Sequence, residues 1–176
     1  MRAAVEQAYA RGPDDKVAAG LVEYLTRHMR EEEGHDTWLL QDLEATGNDP
    51  REPLSRIPPP SVAVLVGAQY YWLRHYHPVS ILGHIAALES YHPPVGFARQ
   101  LSAQTGYPAT AFRAIARHEV LDTIHARELF EVVDALSLER AHETLIGVSA
   151  LHTLSAGIDV LEDIYAHVAA VAGEAT

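Results

Sequence analysis

Apolar side chains recur at helical spacing along nearly the whole chain, and no stretch alternates with period two for long enough to argue a strand. The pattern predicts a short Ala-rich helix over residues 2–11, stopped by Gly12-Pro13. Asp14 or Asp15 then caps one long helix that runs to Thr46 and Gly47, about nine turns at 3.6 residues per turn. Residues 48–60, NDPREPLSRIPPP, read as a Pro-rich loop, because a triple proline does not belong in a helix interior. Ser61 caps the next helical region, which should kink at His77-Pro78, where the backbone N–H is missing, and resume to about Tyr91. His92-Pro93-Pro94 ends it. A shorter helix over about 95–105 stops at Gly106, Pro108 opens a helix that reaches Leu136, and Ser137 opens the last one, which ends near Ala172-Gly173. No solenoid period is present. The elements predict an all-α bundle in which residues 1–176 form a single domain.

Polar residues interrupt three of these apolar stripes. His28, Glu32 and His35 follow the pattern His-x-x-x-acid-x-x-His, as do His118, Asp122 and His125. Positions i, i+4 and i+7 share one helix face. The first set continues a stripe of Leu21 and Leu25 before it and Leu39 and Leu43 after it; the second continues Ile115 before and Leu129, Val132 and Val133 after. Glu89 follows Leu82 and Ile85 on a third stripe. A carboxylate or imidazole on a core-facing line is costly unless it is paired, hydrogen-bonded or bound to metal. Two such interruptions facing each other point to a dinuclear metal site. Its three carboxylates would offset most of the charge of two divalent ions. Mixed oxygen and imidazole donors suit Fe(II) or Mn(II), whereas structural zinc closes with four ligands. Glu31, Glu33 and Asp36 lie off the first face and read as solvated. His75, His77, His84, His92, His142, His152 and His167 have no comparable partner spacing, and of these His152 lies where it could line a pocket.

Composition narrows the chemistry further. A formal charge of −11 with 13 Lys and Arg gives no basic footprint for a phosphate backbone, so nucleic acid is not an expected partner. The chain has no cysteine, which removes disulfides, thiolate metal sites and cysteine nucleophiles and leaves any metal to His, Asp and Glu. No apolar run reaches the roughly 18 residues needed to cross a bilayer, and the N-terminus does not read as a signal peptide. The expectation is a soluble cytoplasmic protein without a membrane partner.

The runs HMREEEGHDTWLLQDL, HIAALES and HEVLDTIHAREL resemble the metal-binding helices of heme-oxygenase-like diiron oxidases, the iron-containing redox enzymes related to TenA and PqqC proteins. The resemblance extends from about Val17 to Leu161 and implies a heme-oxygenase-like bundle that lacks most of its first helix. It places the family's ligand His of the first metal helix on His35, its next acidic ligand on Glu89, and its His-x-x-x-Asp-x-x-His set on His118, Asp122 and His125. Glu32 fills one upstream carboxylate position, and His28 stands where some members carry Glu. Either the chain begins late relative to its relatives, or His28 replaces an oxygen ligand. The resemblance also implies two Fe(II) per chain, with Mn as a substitute, and O2 as co-substrate. The expected activity is oxidation of a small molecule at an amine nitrogen or at carbon beside an amine or carboxylate group. A homodimer is the family habit. Tyr70, Tyr71, Trp72 and Tyr91 are candidate pocket walls, and Arg74 or Arg117 could pair with a substrate carboxylate or could be ordinary surface residues. The alternatives are a metal-free TenA- or PqqC-like enzyme and a non-catalytic metal- or ligand-binding bundle.

Overall fold

A computed structural model describes residues 1–174, and among them the secondary structure is helical throughout. The helices are α1 (Arg2–Arg11), α2 (Lys16–Glu31), α3 (His35–Ala45), the single turn α4 (Glu52–Ser55), α5 (Pro60–His75), α6 (Ile81–Glu89), α7 (Phe97–Thr105), α8 (Arg113–Ala135) and α9 (Arg140–Glu174). The all-α bundle expected from the apolar periodicity is the observed architecture.

The core forms where α2, α5, α6 and α8 meet. Leu21 and Leu25 of α2, Leu82 of α6 and Leu129 of α8 are fully buried, joined by Tyr24, Leu73, Val79, Ile81 and Ile85. Among the described residues the most extensive helix pairing is α6 on α9. Gly83 permits it: a Cβ there would stand 2.1 Å from the Ile146 carbonyl oxygen and 2.8 Å from the Ala150 nitrogen.

Helix starts follow ordinary capping chemistry with some departures from the expected boundaries. Asp15 caps α2 by accepting from the Ala18 N–H at 2.9 Å. Ser61 is not a cap: α5 begins one residue earlier with Pro60 at its first position, where the absent N–H costs nothing. Around His77-Pro78 the chain breaks rather than kinks. Tyr76 leaves the helix at φ −128°, and a 3-10 turn over Pro78–Ser80 precedes α6. The His77 ring caps that turn by accepting from the Val79 N–H at 3.0 Å. Pro108 precedes a 3-10 turn over Ala109–Phe112, and the α-helix itself starts at Arg113.

The largest correction falls on the long first helix. Gly34 adopts φ 89°, a left-handed conformation, and divides the expected nine-turn rod into α2 and α3. The break turns α3 so that His35 and Asp42 face inward, while Leu39, expected in the core, is 62% exposed.

The last helix departs from expectation in its length of apolar surface. The segment Arg140–Ala170 is long and apolar enough to cross a membrane by length and composition, with a window of mean hydropathy 1.4, although no unbroken apolar run reveals it. Its first half is bundle core, with Ser149, Thr153 and Ala156 buried toward α5 and α6.

Candidate metal centre

Four helix segments converge on one polar region. His28 lies in the last turn of α2, and Glu32 is the residue that ends that helix, with φ −81° and ψ −5°. The left-handed Gly34 then returns the chain so that His35 opens α3 close beside Glu32. Glu89 is the last residue of α6, and His118, Asp122 and His125 occupy one face of α8. Two buried acids fix this frame. Asp42 accepts from the Ala114 N–H at 2.7 Å and so ties α3 to the start of α8. Glu119 accepts from the N–H groups of Ala98 and Gly96 at 2.8 and 2.7 Å, holding the start of α7, and these bonds lower its pKa. Sequence reading missed both acids, because their partners are backbone groups distant along the chain.

Ligand atoms of His28, Glu32, Glu89 and His125 all lie within 4.8 Å of one another, and so do those of Glu32, His35 and His118. Glu32 belongs to both groups. Its Oε2 is 2.8 Å from His35 Nδ1 and its Oε1 is 3.4 Å from His125 Nδ1. His28 Nε2 meets Glu89 Oε1 at 2.9 Å. The His28 and His125 rings stand edge to face at 4.8 Å, as do His35 and His118 at 5.1 Å. His118 Nδ1 lies 2.7 Å from the Ala114 carbonyl, to which it donates. That bond places the lone pair on Nε2, the form a metal-binding imidazole needs.

Asp122 is buried, like His28, His35 and His125, but belongs to neither tight group. Burial raises its pKa; the His118 charge pulls downward, and Glu89 pushes upward. For His28, burial favours the neutral ring, yet the hydrogen bond and charge of Glu89, followed by Glu32 and Glu31, outweigh it and raise the pKa. Glu31 is exposed as expected, and from the rim its Oε2 comes to 3.8 Å from His28 Nδ1 and 3.9 Å from His125 Nε2. Glu33 and Asp36 are exposed as expected. Tyr24, which the sequence reading did not single out, stacks on His28 at 5.4 Å. Its buried hydroxyl has no hydrogen-bond partner among the described residues, and burial together with the Glu89 charge raises its pKa.

The donor set fits divalent metal on two counts. Among the described residues, His28 Nδ1, His35 Nδ1, His125 Nδ1 and Glu89 Oε2 are buried without aligned hydrogen-bond partners, an arrangement that is costly in a site meant to stay metal-free. A carboxylate shared by two ligand groups is also the geometry by which one residue bridges two ions.

Two cavities flank the centre. The larger, about 410 Å³, opens onto His28, Glu32 and Glu89; aliphatic residues of α5 and α6 wall it together with Gln69, Tyr70 and His84, and Met1, Arg2 and Ala3 line its remaining side. The smaller, about 330 Å³, adjoins His35, His125, Trp38 and Glu31. Of the expected wall residues only Tyr70 lines the larger cavity. Tyr71 is half-exposed beside Tyr76, Trp72 borders a separate groove with Tyr76 and Leu145, and Tyr91 is 81% exposed. His152 packs its ring against Trp72 instead of the cavity. Arg74 lies over the exposed Tyr70 ring at 5.9 Å, and Arg117 covers Trp38 at 4.0 Å, so neither basic group lines either cavity. Trp38 in turn stacks on His35 at 3.9 Å, which makes Arg117 a support for that ring.

The sequence profile of a family described as iron-containing redox enzyme matches residues 7–157, a span that includes every member of both ligand groups. No curated protein and no solved structure shows significant similarity to the chain.

Proposed function

The chain belongs to the iron-containing redox enzyme family, and from that premise we propose that it is a non-heme diiron, O2-dependent oxidase or oxygenase. Its substrate is a small molecule carrying an amine, amino-acid or carboxylate group. The observation that carries this reading is Glu32, whose two oxygens serve separate ligand groups. His28, Glu89 and His125 would hold one ion, His35 and His118 a second, and Glu32 has an oxygen available to each group. Asp122 completes the set from α8, within the field of His118 and His125. Ferrous iron held there would supply the redox chemistry toward O2. The protein keeps the ligands oriented: His118 through its bond to the Ala114 carbonyl, His35 through Trp38, and His28 through Tyr24. Leu73, Ile81 and Ile85, buried in the wall of the larger cavity, give a substrate an apolar surface beside His28 and Glu89.

Anaerobic reconstitution with Fe(II), followed by iron analysis and exposure to O2, tests this reading. About two irons per chain and a transient visible absorption band on oxygenation are expected. Protein that retains no iron after desalting removes the proposal.

A further inference from the structure

Beside the ligand groups, the larger cavity contains one imidazole that belongs to neither of them. His84 lies five residues before Glu89 on α6 and lines the cavity together with His28, Glu32 and Glu89. Its Nδ1 is 3.1 Å from Thr153 Oγ1. Behind Thr153 stands a chain of buried polar side chains from α5 and α9: Gln69, Ser149 and Thr153 are no more than 6% exposed.

The donor directions along this chain settle the form of the ring. The Gln69 side-chain amide donates to the Leu65 carbonyl at 3.3 Å and to Thr153 Oγ1 at 3.3 Å, while its Oε1 accepts from Ser149 Oγ at 3.4 Å. Thr153 Oγ1 accepts from Gln69, and among the described contacts the acceptor within reach of its own hydroxyl proton is His84 Nδ1, so the network favours Thr153 as donor to that nitrogen. With Nδ1 accepting, the neutral ring carries its proton on Nε2, the nitrogen left for the cavity. Burial lowers the His84 pKa and keeps the ring neutral. Buried Gln, Ser and Thr are a costly way to pack α5 against α9 if packing is all they do. What they accomplish is to hold one N–H donor in place at the cavity wall.

We propose that His84 orients the substrate by donating its Nε2–H to a carboxylate oxygen of a molecule with an aliphatic body. Val66, Leu73, Ile81, Ile85 and Leu88 receive that body, and the rest of the molecule is directed toward His28 and Glu89. Arg2 lines the same cavity and adds positive charge, whereas the negative Glu32 and Glu89 belong to its metal end. The inference rests on the cavity serving the proposed metal centre.

Calorimetric titration of the anaerobic Fe(II)-loaded protein with 4-methylpentanoate, and with 3-methylbutylamine as the carboxylate-free comparator, tests it. Wild type should bind the carboxylate at least about tenfold more tightly than the amine, as loss of a hydrogen bond to a charged group predicts. His84→Leu should lose about tenfold or more for the carboxylate and little for the amine. His84→Gln, whose amide nitrogen reaches a similar position, should retain most of the affinity, and Thr153→Val, which releases the tautomer, should fall between. Iron content should be the same in all four proteins. Unchanged carboxylate affinity in His84→Leu, equal loss in His84→Gln, or preference for the amine would each overturn the role. Should His84→Leu fold poorly, His84→Asn, whose amide is too short to reach, takes its place. Parallel titrations of the metal-free protein separate the two readings: failure to load iron refutes the diiron function, while the His84 dependence is still read directly.

Discussion

Glu32 and Asp15 show how much a single acidic residue settles in this chain. Because Glu32 is common to both ligand groups, Glu32→Ala should depress iron from about two per chain to below one. His35→Ala, which touches only the second group, should leave about one. Circular dichroism should show both variants still helical, and a Glu32→Ala protein that holds two irons would contradict the bridging role. Asp15 acts on stability instead. Burial pushes its pKa up, but the Ala18 N–H, His77 and Arg11 outweigh that and bring it down from 3.8 to about 2. The sign follows from linkage: with the folded pKa below the unfolded one, the contribution is complete above about pH 4 and disappears as the pH falls toward 2. Urea unfolding of wild type and Asp15→Asn, which keeps a capping side chain, should therefore give a stability gap that narrows as the pH falls from about 4 to 2. The polar residues on apolar stripes were legible from sequence because spacing along one helix reports a shared face. Asp42 and Glu119 were not, since each depends on a backbone partner far along the chain.

At the scale of elements, the boundaries that sequence missed are set by backbone conformation rather than periodicity. The apolar repeat of residues 16–46 suits one rod, yet Gly34 at φ 89° ends it, and a run of three glutamates before that glycine is the local signal. The consequence is functional: a straight helix would hold His28, Glu32 and His35 on one line, whereas the break lets Glu32 turn toward both His35 and His125. Gly34→Ala has open space for its Cβ, so any cost is the left-handed backbone alone, about 1–2 kcal/mol. Denaturant unfolding should report that loss, and iron occupancy at the His35 end should fall with it. Gly83 presents the opposite case. Its backbone is ordinary, but a methyl group would collide with the α9 main chain at Ile146 and Ala150. Backbone does not yield as a flexible side chain does, so Gly83→Ala should cost about 3 kcal/mol or more by the overpacking scale. It should also displace Glu89 by shifting α6 off α9, lowering iron content together with the melting temperature. A Gly83→Ala protein as stable as wild type would refute the close α6–α9 approach.

For the whole molecule, α9 carries two apolar faces, of which the bundle uses one. Ser149, Thr153 and Ala156 point into the core, while Leu151, Leu154, Ile158, Leu161, Tyr165 and Val168 lie on another face and are between 41% and 77% exposed. Their spacing alternates between three and four residues, the repeat that seats one helix against another in a coiled coil. Sequence reading found the helix but not this stripe, because apolar periodicity alone does not say which of two faces the fold will consume. A second copy of the chain is the partner we propose, with the two α9 stripes packed together to make the homodimer. The stripe itself is uncharged, which lets two copies of a protein of net charge −11 approach there with less repulsion than over the acidic remainder. Light scattering should then give about twice the 19.3 kDa chain mass for wild type. Leu161→Glu, placed in the middle of the stripe and outside the bundle core, should return the mass of one chain while helicity and iron content stay unchanged. A wild-type mass of one chain, or a Leu161→Glu protein that remains paired, removes α9 as the dimer seam.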